Sequence, residues 1–186
     1  AARDCFITYG YHAAQIAQIA RYTNLSKGGV YFHFASKREI FDALLNEEFE
    51  ASIAFLRTVN ASSQTLPQKL TQLALHYLRL FTERNELARF RVVIGEMAIR
   101  DPDVRVRLLE LNAAYHEEVT TLITRAIESQ DLRADLDPPA VARLLIAVID
   151  GLQEQFALHP AVLFSEIERL TTAAIDLLLR GLAKQR

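Results

Sequence analysis

Apolar residues recur along the chain at the three- and four-residue spacing of amphipathic helices, and the pattern breaks at the few glycines and prolines. Pro67, Pro102 and Pro138 are expected at helix starts, because proline is tolerated in the first helical turn. The long predicted helices span residues 37–59, 66–83, 86–99, 101–130, 139–158 and 161–184. The pattern therefore predicts an all-α fold.

Two shorter helices are predicted within residues 15–37, which read QIAQIARYTNLSKGGVYFHFASK. Ser26 is a good N-cap for the second of them, because its hydroxyl can accept a hydrogen bond from a free backbone N–H. Leu25, Val30 and Phe34 have the spacing that would bury one face of this helix. The arrangement is a helix-turn-helix, and its outer face carries the cations, hydroxyls and bare backbone that suit a phosphate-lined groove.

This segment resembles the amino-terminal DNA-binding domain of the TetR family of bacterial transcriptional regulators. The resemblance is carried by GY at 10 and 11, IA at 19 and 20, LSKGGVYFHF from 25 to 34, and SK at 36 and 37. In that family the second helix of the motif enters the major groove, and Tyr31, His33 and Lys37 would chiefly contact phosphates. The resemblance implies operator contacts at Ser26, Lys27, Gly28, Gly29, Tyr31, Phe32, His33 and Lys37.

Three features depart from the family pattern. Ala13 and Ala14 stand where a serine or threonine usually caps the first motif helix, so another group or water must supply that cap. Gly29 has no side chain to touch a base and costs about 1 kcal/mol of helix propensity relative to alanine. Residues 1–9 match only the second half of the family's first helix, so the opening turns of that helix are expected before residue 1.

The charge is unevenly distributed along the chain. Residues 1–38 hold five cations against Asp4, giving +4, which leaves −6 for residues 39–186 of the total of −2. A basic end on an acidic body suits a protein that meets DNA with one end only. We predict a helix-turn-helix DNA-binding domain over residues 1–45, with the motif at about 15–34, and a larger helical effector-binding and dimerisation domain over residues 46–186.

The last two predicted helices are too apolar for burial on one side only. A four-helix bundle made of two helices from each of two chains would cover the surplus, and the TetR resemblance favours such a homodimer. The alternative is a monomer whose middle helices cover both faces. The predicted dimer interface contains Leu144, Leu145, Val148, Leu152, Phe156, Ile167, Leu170, Ala174, Ile175 and Leu178.

The TetR resemblance also implies a small-molecule pocket in the larger domain, for a small and largely apolar effector. Polar or aromatic residues set into apolar helix faces are the candidates, although ordinary packing explains many such residues. Asp150, within LLIAVIDGLQ, needs a partner or water, and either a ligand cation or an arginine across the dimer would serve. The candidate pocket residues are His76, Tyr77, Phe81, Phe90, Met97, Tyr115, His116, Asp150 and Gln153.

The sequence contains no signature of an enzyme. HExxH, GxSxG, GxGxxG and Walker patterns are absent from it, and the single Cys5, expected to be buried, excludes an internal disulfide. No cofactor or metal is predicted, and a metal site made by His76, His116 and Glu117 is the remaining enzyme alternative. No apolar run is long enough to cross a membrane, so a cytoplasmic protein without a membrane partner is expected.

These observations predict a ligand-responsive transcriptional regulator. In the favoured form it is a repressor that binds a palindromic operator in double-stranded DNA as a dimer, with half-sites about 34–36 Å apart, and is released by a small molecule. A DNA-binding regulator without an effector, or a helical adaptor that contacts protein through the same motif, are the alternatives.

Overall fold

The structure is a computed structural model that describes residues 1–83, 85–158 and 164–183, apart from the side chains of 80–83, 85, 88, 153–158, 164 and 167. Across these residues the chain forms nine α-helices, which confirms the all-α prediction. They are α1 (Ala2–Ala13), α2 (Ile16–Thr23), α3 (Lys27–His33), α4 (Lys37–Ala61), α5 (Leu66–Glu83), α6 (Asn85–Arg100), α7 (Pro102–Glu128), α8 (Pro138–Leu158) and α9 (Phe164–Leu182).

Local capping chemistry sets several of the helix starts. Ser36 Oγ accepts a hydrogen bond from the Glu39 amide at 3.1 Å, and a Glu39 carboxylate oxygen accepts one from the Ala35 amide at 2.6 Å, so α4 begins with two satisfied amides. Pro102 and Pro138 are the first residues of α7 and α8, as the sequence predicts. The local sequence therefore predicts the starts of these helices to within a few residues.

The chain divides into two compact units that do not follow chain order. The first contains Ala1–Ala51 with Glu86–Leu111, and the second contains Ser52–Asn85 with Asn112–Arg186. The first unit therefore holds most of α6 together with the helix-turn-helix. Helix α4 contributes its first half to one unit and its second half to the other.

Aromatic rings form the centre of the first unit. Phe41 lies in edge contact with Phe6, Tyr11 and Phe90, with ring centroids 5.9, 5.2 and 5.8 Å apart. Cys5 is fully buried in the same core, as predicted, and burial raises the pKa of its thiol. Residues from α1, α4 and α6 thus share one apolar core beneath the helix-turn-helix.

Two ion pairs tie α4 to the α6–α7 segment within this unit. Arg91 Nε donates to Glu48 Oε1 at 2.9 Å, and Glu48 is only 9% exposed. Arg38 Nη1 donates to Asp101 Oδ2 at 2.8 Å, at the corner between α6 and α7. Charge-assisted bonds of this kind are stronger than neutral ones, so they add orientation to the apolar packing.

Asp101 also caps α7, because its Oδ1 accepts hydrogen bonds from the amides of Asp103 at 2.9 Å and Val104 at 3.2 Å. The Val104 amide bond, the Arg38 charge and the Asp103 amide lower the pKa of the Asp101 carboxyl. A lowered carboxyl pKa contributes stability above the unfolded value, near 3.9, and this contribution is lost as the pH falls through the folded pKa.

Below about pH 4 the protein is therefore expected to lose stability through Asp101. In Asp101→Asn the cap acceptor remains but the titrating carboxylate does not, so this part of the pH dependence should disappear. Thermal unfolding from pH 3 to 6 tests the expectation, with Asp101→Ala as the variant that lacks both the cap and the ion pair. An acid-induced loss equal in wild type and Asp101→Asn would assign it to other carboxylates.

The second unit has its own core. Leu56 and Val59 from the second half of α4 pack with Ile123 of α7 and Ala142 of α8, and all four are at most 1% exposed. Helix α5 packs against α8 and α9. On the α4–α7 side, the Asn60 side-chain amide donates to the Glu118 carbonyl at 3.0 Å. This unit is a helical bundle closed by apolar packing and a few cross-helix hydrogen bonds.

Candidate DNA-binding surface

The turn between α2 and α3 is built by residues close together in sequence. Asn24 adopts a left-handed conformation (φ 55°, ψ 28°) that ends α2. Ser26 Oγ accepts a hydrogen bond from the Gly29 amide at 3.0 Å, which confirms the predicted N-cap of α3. The cap that α2 needs comes from Gln18, whose Oε1 accepts from the Gln15 amide at 2.8 Å. A side chain in the first turn of α2 therefore supplies the hydrogen-bond acceptor that Ala13 and Ala14 cannot provide.

The burial of α3 separates an inner face from an outer one. Val30 is 4% exposed and packs into the core of the first unit, and Phe34 is half-buried against the same core. The prediction that Leu25 is buried is wrong, since it is 45% exposed. Leu25 precedes the N-cap and lies in the turn, so helical spacing does not describe its direction.

The outer face of α3 carries the residues that the resemblance assigns to DNA. Phe32 is 86% exposed and Tyr31 is 46% exposed, and Ser26, Lys27 and His33 are exposed as well. The Lys27 ammonium lies 5.9 Å from the centre of the Tyr31 ring. A cation, hydroxyls, an imidazole and an unburied aromatic ring therefore point away from the core on one short helix.

Gly28 and Gly29 leave bare backbone on this helix. A Cβ added at Gly28 would meet only Ser26 Oγ at 3.8 Å, and one at Gly29 would meet Leu25 and Ser26 atoms at 3.5 Å, which are ordinary contacts. The free protein therefore does not need glycine at either position, and both cost helix propensity. Without a side chain, both positions leave the backbone of α3 open to close approach by another surface.

Lys37 has a role that the family resemblance does not imply. Its ammonium donates to the backbone carbonyl oxygens of Tyr11, His12 and Ala14 at 2.7, 3.0 and 2.8 Å, and lies 4.7 Å from the centre of the Tyr11 ring. All three of its N–H donors are engaged at the carboxyl end of α1. Lys37 thus fixes the start of α4 to the α1–α2 junction, close in sequence to α3.

The candidate effector residues fall into separate places. Phe90 and Met97 are 0% and 2% exposed in the core of the first unit, so they pack beneath the helix-turn-helix. His76, Tyr77 and Tyr115 lie together in the second unit. The structure therefore does not bring all the candidates into one site. The side chains of Phe81 and Gln153 lie outside the described residues.

The second-unit cluster is a row of rings on α4, α5 and α7. His76 stacks on Phe55 with ring centroids 3.6 Å apart, and Tyr77 lies 5.4 Å from His76 and 6.2 Å from Tyr115. Burial lowers the pKa of the His76 imidazole. The Tyr77 hydroxyl donates to the Ser52 carbonyl oxygen at 3.4 Å. These contacts make a mostly apolar region with polar edges.

His116 and Asp150 differ in exposure. His116 Nε2 is buried and has no hydrogen-bond partner among the described residues, while its Nδ1 lies 3.4 Å from Thr120 Oγ1. Asp150 is exposed on α8 and makes an interaction within the chain, so its apolar sequence setting does not put it in the core. Among the described residues, no group of three potential ligands that could hold a metal ion is found.

The predicted dimer residues also separate by burial. Leu145 is 5% exposed in the core of its own chain, and Ile175 and Leu178 pack against that core. Leu144 and Leu170 are 48% and 38% exposed. Val148, Leu152 and Ala174 are half-buried, and the side chains of Phe156 and Ile167 lie outside the described residues.

One apolar residue of α9 escaped the sequence prediction. Leu177 is 71% exposed and follows Leu170 by two helical turns, so both lie on one face of α9. Leu177, Leu178 and Leu179 are consecutive, and hydrophobic periodicity alone does not show which of three adjacent leucines is exposed. Together with Leu144 it leaves apolar surface uncovered in a single chain.

A helix-turn-helix with an exposed polar and aromatic reading face, joined to a second helical unit, defines a DNA-binding transcriptional regulator. Two family profiles match the chain. Residues 1–44 match the bacterial regulatory proteins of the tetR family, and residues 67–180 match the carboxy-terminal domain of BetI-type transcriptional repressors. The chain belongs to the TetR family of transcriptional regulators, and it is therefore not an enzyme.

Relatives of known name are distant but span most of the chain. The transcriptional repressor AcnR of Corynebacterium glutamicum is 24% identical over 156 residues, covering 84% of this chain and 78% of AcnR. The fatty acid metabolism regulator protein of Bacillus subtilis is 20% identical over 184 residues, covering 98% and 92%.

Solved structures agree on the fold. FadR of Bacillus halodurans superposes with a TM-score of 0.84 at 19% identity, over 97% of this chain and 95% of that one. FadR of Bacillus subtilis, solved in complex with stearoyl-CoA, superposes with a TM-score of 0.81 at 20% identity, over 97% and 95%. In the described part of this chain no helix is long and apolar enough to span a membrane.

Proposed function

We propose that this TetR-family regulator acts in the cytoplasm as a homodimeric repressor, binds a palindromic operator, and leaves it when a small ligand binds. The observation that carries the proposal is the outer face of α3. Lys27, Tyr31, Phe32 and His33 are exposed there, and the two glycines leave the backbone open. A major groove admits an α-helix, and Lys27 with the Tyr31 hydroxyl can contact its phosphates.

Dimerisation is supported by apolar residues that a single chain leaves uncovered on α8 and α9. Leu144, Leu170 and Leu177 are between 38% and 71% exposed. A two-fold pair of chains would bury them and would present two reading helices about one turn of DNA apart, roughly 34–36 Å. One seven-residue helix alone offers few base contacts.

Ligand release is supported by the ring cluster of the second unit and by the buried, unsatisfied His116 Nε2 of the described structure. Buried polar groups normally have a hydrogen-bond partner, so a ligand atom could complete this one. The relative from Bacillus subtilis with a bound acyl-CoA is consistent with an effector that is largely apolar. The ligand must favour the DNA-incompetent arrangement by about 1–3 kcal/mol for an ordinary allosteric effect.

The proposal is tested by selecting tight binders from a pool of random DNA duplexes. Fluorescence anisotropy at several salt concentrations and analytical ultracentrifugation then give affinity and stoichiometry. A single palindromic sequence bound by two chains is the expected result. Equal, weak affinity for every duplex would remove the specific operator, and DNA affinity insensitive to all candidate ligands would favour a regulator without an effector.

The ring of Phe32 makes a prediction about the operator itself. Phenylalanine cannot donate to a phosphate, but it can contact the 5-methyl group of thymine in the major groove. We expect the selected operator to hold a thymine opposite Phe32 in each half-site. Replacing both thymines by deoxyuridine removes only two methyl groups and should weaken binding about 15-fold, at roughly 0.8 kcal/mol for each buried methyl.

The Phe32→Ala variant supplies the control for this prediction. It should bind the thymine and deoxyuridine operators equally, because the contact with the methyl group is already lost. Lys27→Ala should keep the wild-type ratio between the two operators. Discrimination that persists in Phe32→Ala would mean that another residue reads the methyl groups.

A further inference from the structure

A cavity of about 250 Å³ lies in the second unit, beside the start of α5 and the end of α7. None of the residues assigned above to DNA, to the effector or to the dimer lines it. Its walls combine apolar side chains with two cations, Lys69 and Arg125. This combination distinguishes it from an ordinary apolar void.

The two cations converge on one oxygen. Lys69 Nζ and Arg125 Nη1 donate to the backbone carbonyl of Asn60 at 3.1 and 3.3 Å. Asn60 lies in the last turn of α4, where carbonyls lack partners within the helix and positive charge is favourable. The charges are thus held close together at the edge of the cavity.

Both cations have further hydrogen-bonding capacity. An ammonium has three N–H donors and a guanidinium has five, and the Asn60 carbonyl takes one from each. Across residues 1–83, 85–158 and 164–183, neither Lys69 nor Arg125 forms an ion pair with a carboxylate. The remaining N–H groups can therefore donate to an anion without displacing a partner.

The rest of the wall sets the shape of that anion. Leu66, Leu122 and Ala126 also line the cavity, so part of its wall is apolar. A volume of about 250 Å³ is large enough for a small organic molecule of several non-hydrogen atoms. We infer that the cavity binds a small amphipathic carboxylate, with its charged end on Lys69 and Arg125 and its short alkyl chain on the leucines.

Asp131 limits the charge that the site accepts. It also lines the cavity, and its Oδ2 accepts a hydrogen bond from Ser129 Oγ at 2.9 Å. One carboxylate against two cations leaves a single net positive charge for the ligand. A monoanion therefore fits this site better than a phosphate or a dicarboxylate.

The two cations of the cavity bind the carbonyl of Asn60 in the last turn of α4, and the first residue of this helix is Lys37, shortly after α3. A carboxylate on Lys69 and Arg125 binds the same two cations that donate to the Asn60 carbonyl. The use of this shared contact to control DNA binding rests on the proposed function. Binding of the carboxylate does not, and it is measured without DNA.

Isothermal titration calorimetry of the full chain with hexanoate, which has eight non-hydrogen atoms, tests the inference. One hexanoate should bind to each chain. Acetate has the charge without the chain and hexan-1-ol has the chain without the charge, so each should bind at least tenfold more weakly. Equal affinity for hexanoate and hexan-1-ol would overturn the role of the cations.

Three variants locate the site. Lys69→Met and Arg125→Met should each weaken hexanoate binding about tenfold or more, whereas Arg169→Met, which removes an exposed cation of α9, should not. Asp131→Asn removes the opposing charge and should strengthen binding several-fold, a gain that damage to the fold cannot imitate. Absence of hexanoate binding in both wild type and Asp131→Asn would overturn the inference and leave the proposed repressor function intact.

Discussion

Replacing Lys37 by alanine is expected to lower the free energy of unfolding by about 2–3 kcal/mol. Lys37 holds three backbone carbonyls at the end of α1, and hydrogen bonds to a charged group contribute about 1.5–3 kcal/mol net. The midpoint of thermal unfolding should fall by about 4–12 °C for a chain of this size. Circular dichroism measures both values. Operator binding should weaken as the α1–α2 junction loosens.

Two further variants isolate the cause. Lys37→Met keeps most of the aliphatic stem and should lose as much stability as the alanine variant, because only the ammonium makes the three bonds. Lys27→Ala removes an exposed lysine of α3 and should leave stability within about 0.5 kcal/mol of wild type. If Lys37→Met were as stable as wild type and reduced the salt dependence of DNA binding by about one unit, the ammonium would belong to a phosphate instead.

The second large effect is expected from Leu144→Glu. Leu144 is 48% exposed in the single chain, so a carboxylate there should leave the fold of the monomer intact. In the proposed dimer it would be buried unpaired, which is strongly unfavourable. The variant should be monomeric, and its operator affinity should fall a hundredfold or more, because two linked half-site contacts become one. Ultracentrifugation and anisotropy give the two results.

Val106→Glu is the matched control for Leu144→Glu. Val106 is an apolar residue of α7 with a similar exposure of 56%, and it lies outside the predicted interface. This variant should remain dimeric and should keep its operator affinity. A dimeric Leu144→Glu protein would exclude this face of α8 from the interface, and a monomeric Val106→Glu protein would move the interface to α7.

Helix α4 contributes residues to both units, as does α7. In the first unit, Arg38 and Glu48 of this helix pair with Asp101 and Arg91 of the α6–α7 segment. In the second unit, its last turn meets two cations at the Asn60 carbonyl. A change at either end of α4 therefore acts on a helix that both units use.

The sequence alone determined the features that depend on neighbours in the chain. The Ser26 cap and the proline helix starts are confirmed within a residue or two. The Ser26 cap joins groups three residues apart, and a proline helix start depends on the proline itself, so the local sequence already contains what each feature needs. The helix-turn-helix is also a continuous stretch of sequence, and its family match extends over residues 1–44.

The tertiary structure decided everything that depends on how the helices rotate and pack. Leu144 and Leu145 are adjacent leucines, yet one is 48% and the other 5% exposed. Lys37 reaches carbonyls more than twenty residues away, and Lys69 of α5 and Arg125 of α7 donate to one carbonyl of α4. Hydrophobic periodicity shows that a helix has a buried side. Which neighbour covers that side is set by packing between distant segments, for which a single sequence carries no local signal.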